Sequence, residues 1–308
     1  MITLASEAPK GSNQKSDGAF ACMSDHVHSI GNAPKPIDVE AADATSMDTP
    51  VEARANPQID LPAPVVAPYT EAQLRFATVA WPMRAGEELR SARIFRAVAQ
   101  ASRVVHLPGP WPARFASAVR DEVRHARLCA TVGAALGAPV PTYDARPVKT
   151  RLAGVPEPLE RLLSLLVIEV AIGETISMYL FRAGRRASIE PLTRAALSSI
   201  VGDEVRHQRL GWQALAFLWP TLNEPMRAFV QKEATRGLAI CEQQTARPAM
   251  LWLQQKKPFD PAYAALGVLN PESRVEAFYF AVERFVIPRL ARLGLDGDLA
   301  WKNRYRGG

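Results

Sequence analysis

One pentapeptide occurs twice in this chain, and it restricts the possible folds more than any other feature. Asp121–His125 and Asp203–His207 both have the sequence Asp-Glu-Val-Arg-His, and each copy is followed by one variable residue and then by Arg-Leu. Residues three apart lie on the same face of an α-helix, so the Glu and His of each copy can point at the same spot. The repeat predicts two helices that each present a Glu-x-x-His pair.

Both Glu-x-x-His pairs lie in apolar stripes that recur every three or four positions. The stripes are Phe115, Ala118, Glu122, His125, Cys129, Val132, Leu136 in the first copy and Leu197, Ile200, Glu204, His207, Gly211, Ala214, Leu218 in the second. This spacing predicts that both pairs face a hydrophobic core. Burying unpartnered carboxylates is costly, so the pattern indicates metal ions between the pairs. The alternative is a buried salt-bridge network in which the Glu and His residues pair with each other or with Arg124 and Arg206.

The rest of the chain has helical spacing interrupted by Pro and Gly, and this predicts an all-α protein. One short loop, His106–Pro110, separates the first two helices, and another separates the third from the fourth. Between these two hairpins lies a longer connection, Gly137–Pro156, with four prolines. That is the connectivity of a ferritin-like antiparallel four-helix bundle with a long crossover between helices 2 and 3. The predicted helices cover 85–105, with a possible shorter piece from Thr70, then a second helix to Leu136, 158–183, 191–219, 224–245 and 271–290, with Asn223 and Asn270 as caps of the last two.

Composition separates an N-terminal segment from a folded domain. Residues 1–68 hold nine acids against four bases and show no sustained hydrophobic period, which predicts a disordered extension. The domain is predicted over 69–308, with a core bundle at about 85–220 and C-terminal helices at about 223–294. The extension carries a net charge of −5 and the whole chain +6, which leaves +11 on the domain. Such a basic surface suits an acidic partner or an anionic substrate.

A dimetal site in a bundle also needs one carboxylate from each of the two remaining helices. In the first helix we predict Glu88, because it continues an apolar stripe and a hairpin folded near residue 105 brings it level with Glu122; Glu87 is the solvent-facing alternative. In the third helix, Glu169 and Glu174 both fit the hairpin register. We prefer Glu174 and keep Glu169 as a substitute ligand or as a residue that supports the ligands.

This pattern resembles the ferritin-like diiron-carboxylate superfamily, and Asp-Glu-x-Arg-His is similar to the motif of bacterial multicomponent monooxygenase hydroxylases. The closest overall resemblance is to bacterial ferritin-like domain proteins, including the Gly173-Glu174-Thr175 triplet. The position four before Glu204 is Ile200, so the third histidine of the aryl-amine oxygenases in this superfamily is missing. The resemblance implies a role for Asp121 and Asp203, which would hold the imidazoles of the metal-bound histidines. It implies the metal ligands Glu88, Glu122, His125, Glu174, Glu204 and His207.

By this resemblance we expect an enzyme, a non-haem oxidoreductase that binds two iron ions, or one manganese and one iron, and acts with O2 or peroxide. A small-molecule substrate would occupy a pocket lined by Ala92, Ala118, Gly211 and Ala214, and a ferredoxin-type protein would supply electrons. The alternative is a ferritin- or rubrerythrin-like protein that stores iron or removes peroxide. We expect neither membrane nor nucleic acid as a partner. We expect a cytoplasmic location, since the three cysteines are widely spaced and no signal sequence or membrane span is evident.

Overall fold

A computed structural model describes residues 61–139 and 157–305, and every regular element in these two ranges is helical. The all-α prediction is therefore confirmed. The N-terminal extension up to residue 60 and most of the predicted crossover lie outside the described residues. Residues 61–68, which were assigned to the extension, contact the domain: the backbone N–H of Val65 donates to Glu190 Oε1 at 3.1 Å.

We number the helices in chain order. Helix α3 contains a π-helical segment, Leu166–Gly173, and a second π segment, Val282–Val286, links α7 to α8. The helices are α1 (Glu71–Val104), α2 (Trp111–Ala135), α3 (Pro158–Ala187), α4 (Pro191–Leu218, followed by a 3₁₀ turn, Trp219–Thr221), α5 (Glu224–Gln254), α6 (Pro261–Ala265), α7 (Pro271–Ala281), α8 (Ile287–Arg292) and α9 (Gly297–Asn303).

Two helical hairpins form the part of the fold that carries the repeat. Helix α1 packs along α2, and α3 packs along α4. The hairpins meet where α2 contacts α4 and where α1 contacts the first turns of α3, so each of the four helices has two neighbours. Helix α5 packs on the π segment of α3, and α7 packs on both α5 and the second half of α3. Both Glu-x-x-His pairs therefore face the interior.

Helix α1 begins at Glu71, earlier than residue 85, so the predicted short piece and the predicted helix are one element. Thr70 caps it: the side chain of Thr70 accepts from the Gln73 N–H, and the Gln73 side chain accepts from the Thr70 N–H. Pro82 lies inside this helix, although a proline removes one helical hydrogen bond. The helix continues because Gly133 of α2 leaves room for the ring, which a Cβ there would approach to 3.1 Å.

Two predicted helix ends are also too early. Helix α3 was predicted to stop at Gly184, but it continues to Ala187, and Gly184 is buried close to Leu197. Helix α5 was predicted to end at Thr245, yet it passes through Pro248 to Gln254. Both helices thus contain a residue that usually favours a helix end, and at Gly184 the close approach of Leu197 accounts for the glycine.

The C-terminal part agrees with the predicted caps and adds two helices. Asn223 accepts from the Met226 N–H and Asn270 from the Ser273 N–H, as expected for N-caps. Helices α6 and α9 were not predicted; each is seven residues or shorter, so the hydrophobic period is hard to detect. Cys129 and Cys241 are not disulfide-bonded.

Helix α3 is long and apolar enough to cross a membrane by length and composition, which the sequence reading had not recognised. Its most apolar stretch has a mean hydropathy of 1.7, but 78% of that stretch is buried inside the protein. The apolar surface of α3 is thus covered by other helices, as in the core helix of a globular domain.

Candidate metal centre

The structure brings the six predicted ligands together in one buried cluster. They form two groups of four: Glu88, Glu122, His125 and Glu204 in the first, and Glu122, Glu174, Glu204 and His207 in the second. Within each group, one potential ligand atom per residue lies within 4.8 Å of all the others. Every one of the six residues is buried, and Glu174, the most exposed, has 7% of its surface accessible.

The two groups divide between the hairpins in a regular way. The α1–α2 hairpin supplies three members of the first group, and the α3–α4 hairpin supplies three members of the second. Each hairpin also contributes one glutamate to both groups, Glu122 from α2 and Glu204 from α4. The shared glutamates are the two copies of the same residue in the repeat, so the sequence repeat produces an approximately symmetric site.

Each imidazole faces the cluster with its Nδ1 atom. His125 Nδ1 lies 3.3 Å from Glu204 Oε1 and 3.4 Å from Glu88 Oε2. His207 Nδ1 lies 2.7 Å from Glu122 Oε1, although the two atoms are not aligned for a hydrogen bond. The centres of the two rings are 5.8 Å apart. The histidines are thus close enough to belong to one centre.

The other ring nitrogen of each histidine contacts the aspartate of the opposite repeat. His125 Nε2 lies 3.1 Å from Asp203 Oδ2, and His207 Nε2 lies 3.3 Å from Asp121 Oδ2. An ionised carboxylate only accepts hydrogen bonds, so this contact places one imidazole proton on Nε2. Burial lowers the pKa of both histidines, but the surrounding carboxylates outweigh burial and raise it, so without a metal Nδ1 carries a second proton. A bound ion would take the place of that proton. A metal-ligating histidine needs this tautomer.

Two arginines complete this outer layer by bridging the aspartates. Arg124 pairs with both Asp121 and Asp203, and Arg206 does the same. Burial raises the pKa of Asp203, but hydrogen bonds from His125 and Arg124 outweigh it and the pKa falls below its ordinary value. The pKa of Asp121 is lowered in the same way, chiefly by His207. The arginines of the salt-bridge alternative therefore pair with the aspartates, whereas the histidines lie within ion-pair distance of the cluster glutamates.

Several atoms of the cluster lack a hydrogen-bond partner. Among the described residues, Nδ1 of both histidines, Oε1 of Glu122 and Oε2 of Glu204 are buried and unsatisfied. Burial raises the pKa of Glu88 well above its ordinary value, and the neighbouring Glu122 and Glu204 raise it further; Glu174 behaves likewise. Burial also acts on Glu204, but the two imidazoles outweigh it and lower its pKa to about 2. Buried acids that repel one another favour a cation between them.

The π segment of α3 explains why the apolar stripes could not decide between Glu174 and Glu169. On a regular α-helix these residues, five apart, would point about 140° away from one another. In the structure, the Glu174 N–H instead bonds to the carbonyl of Glu169 in an i to i−5 pattern. Glu174 joins the cluster, whereas the carboxylate of Glu169 contacts Arg90 of α1 at 3.0 Å. Glu87 is exposed, and Glu88 carries the buried carboxylate of α1.

The predicted substrate pocket is not formed by the small residues named for it. A Cβ at Gly211 would lie 2.6 Å from the backbone of Val170, so this glycine serves the close approach of α4 to the π segment. Ala118 and Ala214 are fully packed into the hydrophobic core, and Ala92 is also buried. These small residues therefore allow the helices to pack closely and do not line a cavity.

The sequence reading missed a set of polar residues beside the cluster. The hydroxyl of Thr175 accepts from Trp212 Nε1 at 2.9 Å and from Arg289 Nη1 at 3.3 Å, and Arg289 also donates to Gln208. Thr175 follows Glu174 and Gln208 follows His207 in the chain. One signal was available: the variable position of the repeat is Ala126 in the first copy and Gln208 in the second.

The residues present fit a pair of divalent cations. Four carboxylates and two neutral imidazoles would balance four positive charges, and the unsatisfied Nδ1 and Oε atoms point where ligand atoms are needed. Oxygen and imidazole ligands without a thiolate suit iron or manganese. Glu88, Glu122, His125 and Glu204 would hold one ion, and Glu122, Glu174, Glu204 and His207 the other.

A scan against protein-family models finds no match for this chain, and a search of curated proteins finds no significant match.

Proposed function

We propose that this chain is a non-haem oxidoreductase in which a ferritin-like four-helix bundle holds two iron ions and uses them with O2 to oxidise a small organic molecule. The observation that supports this most directly is the pair of four-residue groups that share Glu122 and Glu204. Two sites with shared carboxylates hold their ions side by side. A pair of ferrous ions, when bound, supplies two electrons to O2 at one place.

The residues of the chain have separate tasks in this proposal. The four glutamates neutralise the ions, and the shared pair fixes the distance between them. Asp203 and Asp121 hold His125 and His207 in the tautomer whose Nδ1 can bind metal. Burial of all six ligands excludes water, which strengthens every charge interaction in the site and protects a reactive oxidant from solvent.

The test is anaerobic loading with Fe(II), followed by removal of free iron and counting of iron per chain. We expect about two ions per chain, as the two groups require. Exposure to O2 should then consume O2 in proportion to bound iron, and a panel of amine and alkyl substrates is screened for oxidised product. A His106→Ala variant, altered in the loop between α1 and α2, is the control and should bind the same amount of iron. Less than one ion per chain, or zinc retained in preference to iron, would refute the proposal.

A second candidate is favoured by the close packing at Gly211. If no cavity for an organic molecule opens beside the cluster, the same site would serve a ferritin- or rubrerythrin-like protein that oxidises iron or removes peroxide. The loaded protein distinguishes the two. Catalytic consumption of peroxide without any oxidised organic product favours the second candidate, and substrate-dependent O2 uptake favours the first.

A further inference from the structure

Three aromatic rings meet at the surface where α3 contacts the C-terminal helices. Tyr179 of α3 stacks on Phe285 of the second π segment with ring centres 4.5 Å apart. Phe280 of α7 lies 5.5 Å from Tyr179 and 5.7 Å from Phe285. Half of the surface of Phe280 is accessible to solvent, and the other two rings are partly exposed. Such a group of exposed rings is unusual on a surface that contacts only water.

Two arginines lie over these rings and two more lie near one of those arginines. We call the seven residues the basic aromatic surface: Tyr179, Arg182, Arg209, Phe280, Phe285, Arg289 and Arg292. The guanidinium of Arg182 lies over Tyr179 and that of Arg289 lies over Phe285. Arg209 and Arg292 are exposed and close enough to Arg289 to act on its charge. Among the ion pairs of the described residues, none joins these arginines to a carboxylate.

The chain around this surface also has few acids to balance the arginines. Residues 282–292 contain three arginines and one glutamate, Glu283. The surface therefore presents several uncompensated positive charges next to apolar rings. Arginine and aromatic residues are enriched at protein–protein interfaces and dominate the residues that contribute most to binding. This composition favours a protein with an acidic patch over a lipid or a purely apolar partner.

Hydrogen bonds connect the basic aromatic surface to residues that lie next to the candidate metal centre in the chain. Arg289 extends from the surface to the side chains of Thr175 and Gln208. These two residues directly follow Glu174 and His207, which belong to the second group of ligands. Arg289 is thus the single side chain between the basic aromatic surface and the backbone segments that carry Glu174 and His207.

We propose that the basic aromatic surface is the docking site for a small acidic protein that carries one electron and reduces the metal centre. This inference rests on the proposed function. At each encounter the carrier loses one electron and one ferric ion becomes ferrous, so two encounters restore the diferrous pair. No atom is transferred, and the contact is short-lived because its charges lie at an exposed rim.

The experiment measures binding of an oxidised plant-type [2Fe–2S] ferredoxin, an acidic carrier, to the full chain that has been loaded with Fe(II) and then oxidised by air, by calorimetry at low and high salt. We expect binding that weakens strongly as salt is raised. Arg209→Glu and Arg292→Glu should each weaken the affinity about tenfold, since like charges then face the acidic partner. The matched control is Arg127→Glu. Arg127 is the equivalent of Arg209 in the first repeat, is equally exposed, and should leave the affinity unchanged.

Three results would overturn the docking site: no binding at low salt, the same loss of affinity in Arg127→Glu as in Arg209→Glu, or binding of an RNA oligomer at this surface in place of the ferredoxin. Iron content is measured on the same samples. A protein that binds two irons but no ferredoxin loses the docking site and keeps the proposed function. A protein that binds ferredoxin through Arg209 and Arg292 without holding iron keeps the docking site and loses the proposed function.

Discussion

The metal centre and a second buried cluster show two ways in which a protein can hold a glutamate in its interior. In the second cluster, Glu242 of α5 is only 4% exposed and accepts hydrogen bonds from Tyr279, Tyr305 and Arg304 at 2.5–2.7 Å. Burial raises its pKa, but these donors outweigh burial and the pKa lies below its ordinary value. The protein itself thus supplies the hydrogen-bond donors and the positive charge that stabilise the ionised carboxylate of Glu242.

The glutamates of the candidate metal centre are buried as deeply, but the protein offers them only the two imidazoles as partners for four carboxylates. Glu122 and Glu204 each have an unsatisfied oxygen, and Glu88 and Glu174 face other carboxylates. Buried acids alone are thus not a sign of a metal site. What distinguishes the metal centre is that acids converge while their partners are missing, so a cation from outside is needed to stabilise them.

The largest effect should follow from removing a shared glutamate. Glu204→Ala takes one ligand from both groups, so we expect loss of both ions, whereas Glu242→Ala should keep the full iron content. The measurement is iron per chain by mass spectrometry after anaerobic loading. Circular dichroism checks that both variants remain helical. A Glu204→Ala protein with two tightly held ions would mean that the four glutamates are not the ligands.

Metal should also stabilise the fold. Ligand that binds only the native state at 100 times its Kd adds about 2.7 kcal/mol per site, so two sites give about 5 kcal/mol. For a domain of this size that is a rise in Tm of about 10–20 °C. Scanning calorimetry with and without anaerobic Fe(II) measures it. The double variant His125→Ala/His207→Ala should show no rise; an equal rise there would indicate binding elsewhere.

Loss of an orienting aspartate should have a smaller effect. Asp203→Asn keeps the shape of the side chain but no longer forces the proton of His125 onto Nε2. Substitutions of this kind cost about 10–100-fold in metal affinity. Competition with a chelator gives the affinity. Asp260→Asn, which alters the N-cap of α6, is the control and should not change it. If both variants bind metal with equal affinity, Asp203 does not orient His125 for metal binding.

The smallest and most discriminating effect concerns metal-free protein, where glutamine substitutions should have different consequences in the two clusters. Glu242→Gln replaces one acceptor oxygen with an NH2 donor that faces the Tyr and Arg donors, so it should destabilise the protein by about 1–3 kcal/mol. Glu88→Gln removes a carboxylate from a site that repels it, so stability should stay the same or rise by up to about 1 kcal/mol. Urea unfolding measures both. A large loss in Glu88→Gln would show that this carboxylate is satisfied without metal.

The clustering of the glutamates and histidines could be predicted because it follows from patterns within each helix and each helical hairpin. The Glu-x-x-His spacing, the apolar stripes and the hairpin register each depend on residues close in sequence. Glu174 was preferred over Glu169, but the apolar stripes could not decide between them, because the π segment changes the direction of side chains after it and no local pattern marks its position. The helix through Pro82 was missed because its tolerance depends on Gly133 in another helix.

Contacts between distant elements account for the other omissions. Each aspartate binds the histidine of the opposite repeat, 78 or 86 positions away, and sequence spacing does not reveal such a crossing. Arg289 reaches Thr175 across 114 positions. The sequence does show that the two copies of the repeat differ at the position of Ala126 and Gln208. Only the fold shows that Arg289 donates a hydrogen bond to Gln208.

The sharing of Glu122 and Glu204 has a consequence for how the protein matures. Each hairpin carries three quarters of one binding group and must borrow the last ligand from the other hairpin. A nascent or damaged chain in which the two hairpins have not come together therefore has no complete group of ligands and should not retain a metal ion. A bound metal would therefore indicate that both hairpins are assembled. The chemistry of the proposed centre would then be confined to fully folded molecules.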